Sequence, residues 1–311
     1  MGHLKNGQWH SGNVVTSNDQ GEFDREKSEF RETITADHKK YQPEENRYHL
    51  YVSYACPWAH RTLITRKLKK LDSIISVDVV HPHMLEHSWS FNTDFPKSTG
   101  DSLYHKEYLY QIYQKHDSKV TTKVTVPVLW DKKTQSIVNN ESSEIIRIFN
   151  KSFEGLAPET PDLYPEKWQS EINEWNEKIY EPVNNGVYKC GFASNQEAYD
   201  KAYKNLFKVL NEIENHLEDH EYLVGDQLTE ADIRLLTTLL RFDAVYYIHF
   251  KCNERKISEF PNLYRYTLAL YEREEIKATT HIDHIKEHYY YSHEFINPKR
   301  IVPQGPVELF K

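Results

Sequence analysis

The sequence contains few cysteines and no long hydrophobic run, and each of these shortages excludes a class of protein. Only three cysteines occur in 311 residues, namely Cys56, Cys190 and Cys252. An odd, widely spaced set predicts free thiols in a reducing compartment rather than a disulfide scaffold. No apolar run approaches the ~20 residues that span a bilayer, and the first 30 residues lack the apolar core of a signal peptide.

Basic charge is also in short supply. The chain has 39 Lys and Arg against 47 Asp and Glu, a formal net charge of -8. Without a basic field, the surface does not attract nucleic-acid phosphates or anionic lipids. We therefore expect a cytoplasmic protein that binds neither nucleic acid nor membrane.

What is present is a globular composition. Hydrophobic types make up 38% and charged types 28%, which excludes a disordered or collagen-like chain. At about 150 residues per domain, the length predicts roughly two domains.

The first half of the chain shows an α/β pattern after an N-terminal arm. Residues 1–45 carry no periodic core face and are predicted to be an extended arm that packs against the protein at scattered points. Residues 48–54 (YHLYVSY) are dense in β-formers, 58–71 place apolar residues at helical spacing, and 76–82 form a second strand. This order predicts a βαβ unit with a right-handed crossover.

A long interruption follows, and then the pattern resumes. Residues 83–120 are predicted to be an inserted loop with one short helix at 104–113. Residues 124–131 (VTVPVLWD) read as a strand, followed by a turn, a strand at 136–139 and a helix at 141–151. Together these elements predict a four-stranded β-α-β-α-β-β-α sandwich ending near residue 150.

The second half contains helical patterns without strand signals. It follows a proline-bearing linker at 157–165. Six residues from Tyr199 to Leu217 lie on one apolar helix face, and the segment 229–250 is apolar nearly all round its middle. Thr229 and Asp232 have the spacing of a capping box at the start of that second helix. We therefore place this helix at the centre of an all-helical domain.

Cys56 has the position of a reactive thiol. It lies where a strand ends and a helix begins, with Pro57 at the first helical position. The unpaired N–H groups and the dipole of a helix N-terminus favour the thiolate, so we expect a lowered pKa. His60 and Arg61, one turn on, are expected to add positive charge. The alternative is a buried, inert cysteine.

The residues around this thiol predict its partners. In Cys-Pro-Trp-Ala the fourth residue, Ala59, cannot close a disulfide, so a resolving thiol must come from solution. The Val126-Pro127 bond lies at the start of a strand, a place where a cis peptide bond can occur. A cis bond there leaves the backbone polar groups of Val126 free to pair with an extended peptide. Glu141 and Ser142 open a helix and can bind an ammonium and a carboxylate, as a γ-glutamyl group requires.

Several motifs together resemble one family. They are CPWAHR at 56–61, WSF at 89–91, TVPVLWD at 125–131, NNESSEIIRIFN at 139–150, RFDAVY at 241–246, HFKCN at 249–253, HYYYSH at 288–293 and INPKRIVPQGP at 296–306. The chain resembles the glutathione transferases and, over residues 9–306, the glutathionyl-hydroquinone reductases of the Xi class. This implies an α/β thioredoxin-like N-terminal domain at 46–155, with the insertion 83–120, and an all-α glutathione-transferase C-terminal domain at 165–311.

The resemblance also implies roles for individual residues. Cys56 corresponds to the nucleophile, and Trp89, Val126, Glu141 and Ser142 fall on glutathione contacts. The family has an arginine just before TVPVLWD, whereas this chain has Lys123. The lysine ammonium is a single point charge and cannot make the forked contact of a guanidinium. This difference leaves another low-molecular-weight thiol as an alternative to glutathione. Three tyrosines resemble those that line the aromatic acceptor pocket: Tyr188, Tyr246 and Tyr289.

The implied reaction reduces glutathionyl-hydroquinones through a mixed disulfide of Cys56 and glutathione, and a second glutathione releases oxidised glutathione. Tyr188 and Tyr289 are the implied proton donors. The implied assembly is a homodimer, and glutathione acts as co-substrate with no metal or nicotinamide. The alternatives are an omega-like thioltransferase or dehydroascorbate reductase, and a non-catalytic binding module.

Three further features are expected to be structural. His281, His284 and His288 share a helix face at metal-ligand spacing but lack an added carboxylate or thiolate, so we expect no metal there. Cys190 and Cys252 are likewise expected to be structural.

Overall fold

The computed structural model describes residues 2–12, 17–23 and 27–306, and the chain divides into two compact units. The first unit is Met1–Val14 with Lys27–Pro161, and the second is Val15–Glu26 with Asp162–Lys311. The predicted arm therefore contributes to both units. Parts of it (residues 1, 13–16 and 24–26) and the end of the predicted C-terminal domain (307–311) lie outside the described residues.

The first unit contains the described strands and three helices. The strands are β1 (Gly2–Lys5), β2 (Gln8–Ser11), β3 (Tyr48–Val52), β4 (Ser76–Val79), β5 (Met84–Leu85), β6 (Ser88–Trp89), β7 (Thr122–Lys123), β8 (Val128–Asp131) and β9 (Ser136–Asn139). The helices are α1 (Pro57–Leu68), α2 (Tyr110–His116) and α3 (Ser142–Lys151).

The central sheet has the predicted topology. Its strand order is β4-β3-β8-β9, with β3 parallel to β4 and antiparallel to β8, and β8 antiparallel to β9. The α1 crossover and the β8–β9 hairpin are thus confirmed. The predicted strand at 124–131 is wrong in its first half, because β8 begins only at Val128. Pro127 has no N–H to give to a ladder, so it ends the regular pairing there.

The arm is more structured than its composition predicted. β1 and β2 form a hairpin, and β1 also pairs with β7 to give a three-stranded sheet. Leu4, Ile34 and Tyr41 are buried in the core of the first unit. These buried residues are single and widely spaced, which agrees with an arm that packs at scattered points and explains why no periodic core face appears in the sequence. The hairpin itself was not predicted.

The helix predicted at 104–113 lies instead at Tyr110–His116. The Asp101 carboxylate accepts the backbone N–H groups of Leu103, Tyr104 and Lys106 and so holds that segment as a turn. Such side-chain acceptors compete with helical bonding, which explains the later start of α2.

The second unit is helical in its described part. Its helices are α4 (Gln169–Ile179), α5 (Gly186–Phe192), α6 (Gln196–His216), α7 (Glu230–Arg241), α8 (Pro261–Tyr271), α9 (Glu274–Lys277) and α10 (Ile282–Ser292). Short 3₁₀ turns lie at Glu166–Trp168 and Ile257–Glu259, and π turns at Tyr180–Asn184 and Phe242–Tyr246. None of the helices in the described ranges is long and apolar enough to cross a membrane.

α7 is the core helix, as predicted from its all-round apolar pattern. Nearly all of its residues are buried. The capping box is present: the Asp232 carboxylate accepts the backbone N–H and the hydroxyl of Thr229, at 2.8 and 2.9 Å. The same carboxylate accepts Leu223 N–H and the Tyr266 hydroxyl, so one buried acid ties together three segments of the unit.

Candidate active site

Cys56 occupies the N-terminus of α1. It is the N-cap residue, in extended backbone conformation, and Pro57 begins the helix as predicted. The side chain is partly exposed, and its thiol donates to the carbonyl oxygen of Val126 at 3.7 Å. His60 and Arg61 are buried, and the Arg61 guanidinium lies 4.5 Å from the centre of the Trp58 ring.

Val126 faces the thiol with its backbone. Its peptide bond to Pro127 is cis, as the sequence predicted. Its carbonyl accepts the Cys56 thiol, whereas its N–H has no acceptor among the described residues. A donor of this kind next to a thiol can bind an extended peptide by strand-like pairing.

The start of α3 supplies the second part of this site. Glu141 is the N-cap residue; its carboxylate accepts Ser143 N–H at 3.1 Å and, on its other oxygen, the Ser28 hydroxyl at 3.0 Å. The Ser142 hydroxyl is buried, and within the described ranges it has no hydrogen-bond partner. A buried hydroxyl without a partner is unfavourable, so this helix start is suited to an anionic ligand group.

Tyr113 connects these two parts and was missed by the sequence reasoning. Its hydroxyl donates to Thr125 carbonyl at 2.9 Å and accepts Thr125 N–H at 3.3 Å and the Asn140 amide at 3.4 Å. It therefore fixes the residue before Val126 against the residue before Glu141. Burial raises its pKa, which keeps the hydroxyl protonated. Nothing in the sequence singled out this tyrosine among 22.

Trp89 and Lys123 lie in the same unit. Trp89 is buried in β6, and its carbonyl accepts Leu109 N–H at 2.9 Å. Lys123 is half-buried in β7, opposite His3 of the N-terminal hairpin. Strand β1 of the hairpin therefore pairs with the strand that carries Lys123, which the sequence did not predict.

In the second unit, the structure brings the three predicted tyrosines together. The Tyr289 hydroxyl lies 2.5 Å from that of Tyr188 and 3.1 Å from that of Tyr246. The three come from α10, from α5 and from the π turn after α7. A second π turn directly precedes α5. Such wide turns often occur at functional sites, and here they accompany two of the three tyrosines.

The tyrosines differ in exposure. Tyr246 and Tyr289 are buried, with 0% and 1% of their surface accessible, whereas Tyr188 is partly exposed. Burial raises the pKa of Tyr246 and of Tyr289 well above the usual value, against the opposing charge of Arg241. Both hydroxyls are therefore neutral and can donate hydrogen bonds at physiological pH.

Phe250 packs at the centre of this cluster. Its ring centroid lies 5.4 Å from those of Tyr188 and Tyr246 and 5.6 Å from that of Tyr289. On its other side is Gly191, where a Cβ atom would come within 2.2 Å of the Phe250 ring. The close approach of α5 to Phe250 thus requires glycine at this position.

The remaining thiols and the predicted histidines belong to the second unit, where the His288 ring packs against that of Tyr289 with centroids 5.1 Å apart. Cys190 and Cys252 are buried, and burial raises the pKa of Cys252 well above its usual value. This agrees with a structural role. Of His281, His284 and His288, the last two are buried, and the described residues contain no group of three or more potential metal ligands.

Two family models match the chain. The model of the glutathione S-transferase N-terminal domain covers residues 55–152, and that of the C-terminal domain covers residues 196–269. The first match contains Cys56, Val126 and the start of α3, and the second contains α6 and α7.

Individual relatives match over nearly the whole chain. The glutathionyl-hydroquinone reductase YqjG of Escherichia coli is 51% identical, with 98% of this chain and 95% of the relative covered. The glutathionyl-hydroquinone reductase PcpF of Sphingobium chlorophenolicum is 46% identical, with 99% and 97% covered.

Solved structures agree with these relatives. The glutathione-bound structure of YqjG has a TM-score of 0.91 at 49% identity, covering 100% of this chain and 97% of that one. The Xi glutathione S-transferase of Phanerochaete chrysosporium has a TM-score of 0.93 at 50% identity, with 95% and 96% covered. The chain therefore belongs to the glutathione S-transferase family and, within it, to the glutathionyl-hydroquinone reductases of the Xi class.

Proposed function

We propose that this protein reduces glutathionyl-hydroquinones to hydroquinones, with glutathione as co-substrate and glutathione disulfide as the second product. The observation that carries the proposal is the partly exposed Cys56 thiol at the start of α1, beside the Val126 N–H, which has no acceptor in the part of the chain that the structure describes. Relatives that match nearly the whole chain bear the name of this activity, and one of them has been solved with glutathione bound.

The first step uses Cys56 as the nucleophile. Its thiolate attacks the sulfur of the conjugate, so a sulfur–sulfur bond forms and the sulfur–carbon bond breaks. The electron pair of the broken bond leaves with the ring, which delocalises it and takes up a proton at carbon. A mixed disulfide between Cys56 and glutathione remains.

The second step regenerates the enzyme. A second glutathione loses its thiol proton and attacks the glutathione sulfur of the mixed disulfide, which releases glutathione disulfide and the Cys56 thiolate. The proton lost by this thiol balances the one gained by the ring. Ala59 at the fourth position of the Cys-Pro-Trp-Ala motif supports this scheme, because no neighbouring thiol competes with glutathione.

Five residues of the first unit are proposed to bind the glutathionyl group. The backbone of Val126 pairs with the peptide, the N–H groups and buried hydroxyl at Ser142 bind the γ-glutamyl carboxylate, and Glu141 accepts the ammonium. Trp89 and Lys123 contribute an aromatic wall and a point charge. With lysine here, another low-molecular-weight thiol remains an alternative that competition assays can test.

In the second unit, the tyrosine cluster is proposed to serve the aromatic acceptor. Tyr188 and Tyr289 supply protons and hydrogen bonds for the hydroquinone, and Tyr246 completes the cluster. Tyrosine hydroxyls are suited to phenolic oxygens because they both donate and accept hydrogen bonds.

The test supplies purified protein with glutathione and glutathionyl-menadiol and measures free menadiol and glutathione disulfide. We expect turnover in the native protein, none in Cys56→Ser, and undiminished turnover in Cys190→Ser as the matched control. In intact-mass spectra, one glutathione should add to the native protein and none to Cys56→Ser. If the native protein released no free menadiol, that result would contradict the proposed function.

A second assay separates this activity from that of an omega-like thioltransferase. Reduction of the mixed disulfide of glutathione and hydroxyethanethiol needs Cys56 but no proton transfer to carbon. Tyr188→Phe should therefore impair reduction of glutathionyl-menadiol more than reduction of the disulfide. Equal impairment of both would favour the thioltransferase.

We further propose a homodimer in the cytoplasm. The reaction consumes reduced glutathione, which the cytosol maintains. Glutathione transferases commonly pair, so sedimentation should give twice the mass of one chain. A single-chain mass at micromolar concentration would contradict the dimer without affecting the proposed reaction.

A further inference from the structure

Part of the N-terminal arm runs beside the strand that leads into the start of α3. Next to β9, Glu32 N–H donates to Val138 carbonyl at 3.0 Å. One step further along, Asn140 N–H donates to Phe30 carbonyl at 3.0 Å, and Phe30 N–H donates to the Asn140 side-chain oxygen at 3.2 Å. Because Asn140 directly precedes Glu141, the arm is bound beside the N-cap residue of α3.

Side chains fix the same part of the arm independently. Ile34 is fully buried, and its carbonyl accepts the Ser152 hydroxyl at 2.6 Å. The Arg31 guanidinium pairs with the Glu144 carboxylate. The loss of one further hydroxyl in this segment should therefore leave the arm docked, so the effect of that loss on the site can be measured separately.

That further hydroxyl belongs to Ser28 and lies at the N-cap carboxylate of α3. The Ser28 hydroxyl donates to Glu141 Oε2 at 3.0 Å. Glu141 Oε1 accepts the backbone N–H and the hydroxyl of Ser143, at 3.1 and 3.0 Å. One carboxylate oxygen is thus held by the helix start and the other by the arm, which together fix the orientation of the carboxylate.

A carboxylate held in this way is prepared for a cation. Glu141 is the residue proposed above to accept the ammonium of the γ-glutamyl group. A carboxylate oxygen can accept two hydrogen bonds, so the bond from Ser28 does not exclude an ammonium from the same oxygen. A side chain that is already ordered loses less rotamer freedom on binding than a mobile one, and this raises the affinity for the ligand.

We propose that Ser28 is a positioning residue of the glutathione site, which holds the Glu141 carboxylate in place for the ammonium of a γ-glutamyl thiol. This inference rests on the proposed function, which places the γ-glutamyl group at the start of α3. The arm then completes the site and favours thiols that carry an α-ammonium over thiols that lack one. Ser28 acts through Glu141 and takes no part in the sulfur chemistry.

The test measures the Kd of the unreactive ligand S-methylglutathione and of its desamino analogue, in which glutaryl replaces γ-glutamyl and only the ammonium is missing. Ser28→Ala should raise the Kd of S-methylglutathione about fivefold, because the ligand must then order the carboxylate itself. The Kd of the desamino analogue should not change. Ser28→Thr keeps a hydroxyl and should bind S-methylglutathione nearly as tightly as the native protein does.

Ser152→Ala is the matched control, since it removes a serine hydroxyl that anchors the arm at the other end of α3. It should leave both Kd values unchanged. Equal Kd values for S-methylglutathione in Ser28→Ala and the native protein would overturn the proposal, and so would an equal loss of affinity for both ligands. A native protein that binds S-methylglutathione but releases no menadiol from glutathionyl-menadiol would instead contradict the proposed reaction alone.

Discussion

Single buried hydroxyls carry much of the specificity proposed for this protein. The Ser142 hydroxyl is 2% exposed at residue level, sits at the start of α3, and has no partner in the described part of the chain. Ser136 is as buried, but its hydroxyl is shared with Tyr41 and Thr134. The first hydroxyl is thus available for a ligand, whereas the second belongs to the fold.

Replacing these two serines should have opposite effects. Ser142→Ala removes a hydrogen bond to a charged carboxylate, worth about 1.5–3 kcal/mol, so KM for glutathione should rise by at least about tenfold. Stability should not fall, because no bond within the protein is lost. Ser136→Ala should lower the melting temperature and leave KM unchanged. An unchanged KM in Ser142→Ala would argue against carboxylate binding at this helix start.

Among the elements, the β8–β9 hairpin depends on a buried ion pair. Asp131 ends β8; its oxygens accept two guanidinium N–H groups of Arg47, at 2.9 and 2.7 Å, together with Lys133 N–H and the Thr134 hydroxyl. Burial alone would raise the pKa of Asp131, but the hydrogen bonds from Arg47 and Thr134 outweigh it and lower the pKa.

Asp131→Asn should therefore destabilise the protein in a pH-dependent way. A lowered folded-state pKa contributes stability above the unfolded value of about 3.9, and this is lost as the pH falls through the folded value. The variant should be about 3 kcal/mol less stable near pH 7, and the difference should shrink below about pH 4. Urea denaturation at both pH values measures this.

The matched control is Asp72→Asn. Asp72 pairs with Arg66 and Lys67 but is 43% exposed, so its loss should cost under about 1 kcal/mol at either pH. A difference between native protein and Asp131→Asn that does not vary with pH would contradict the pair as the source of the stability.

The N-terminal hairpin makes a second element-scale prediction. Leu4 of β1 is fully buried, and β1 pairs with β7. Leu4→Ala should cost about 2–5 kcal/mol through the lost burial and the cavity left behind. The exposed neighbour provides the control, since Lys5→Ala should leave the melting temperature unchanged. Equal melting temperatures would mean that the hairpin does not dock in solution.

For the whole molecule, the fold decides which thiols can react. Cys56 is partly exposed at a helix start, whereas Cys190 and Cys252 are 3% and 0% exposed. Brief iodoacetamide treatment of the native protein should add one group, at Cys56, and treatment in guanidinium chloride should add three. Intact-mass and peptide analysis check this. A native Cys56→Ser variant that still takes up the label would contradict it.

Local patterns were sufficient for most of the fold. The strand-helix boundary at Cys56, the β8–β9 hairpin and the central position of α7 follow from β-formers, Pro57 and apolar spacing, which act over a few residues. Helix-start and X-Pro signals along the chain singled out Cys56, Val126, Glu141 and Ser142, whereas the three tyrosines were singled out only by motifs that resemble a family.

The arm, the insertion and the contacts inside the site required the tertiary structure. Leu4 pairs with Thr122, more than a hundred positions away, and Tyr113 is a candidate site residue only because Thr125 and Asn140 fold against it. Likewise, no pattern along the chain predicts that the hydroxyls of Tyr188, Tyr246 and Tyr289 meet. The sequence by itself determined which segments are strands, helices and reactive turns, because those depend on neighbours along the chain. Only the tertiary structure decided which hydroxyls, carbonyls and charges lie within hydrogen-bond distance, because such contacts join residues that are far apart in sequence.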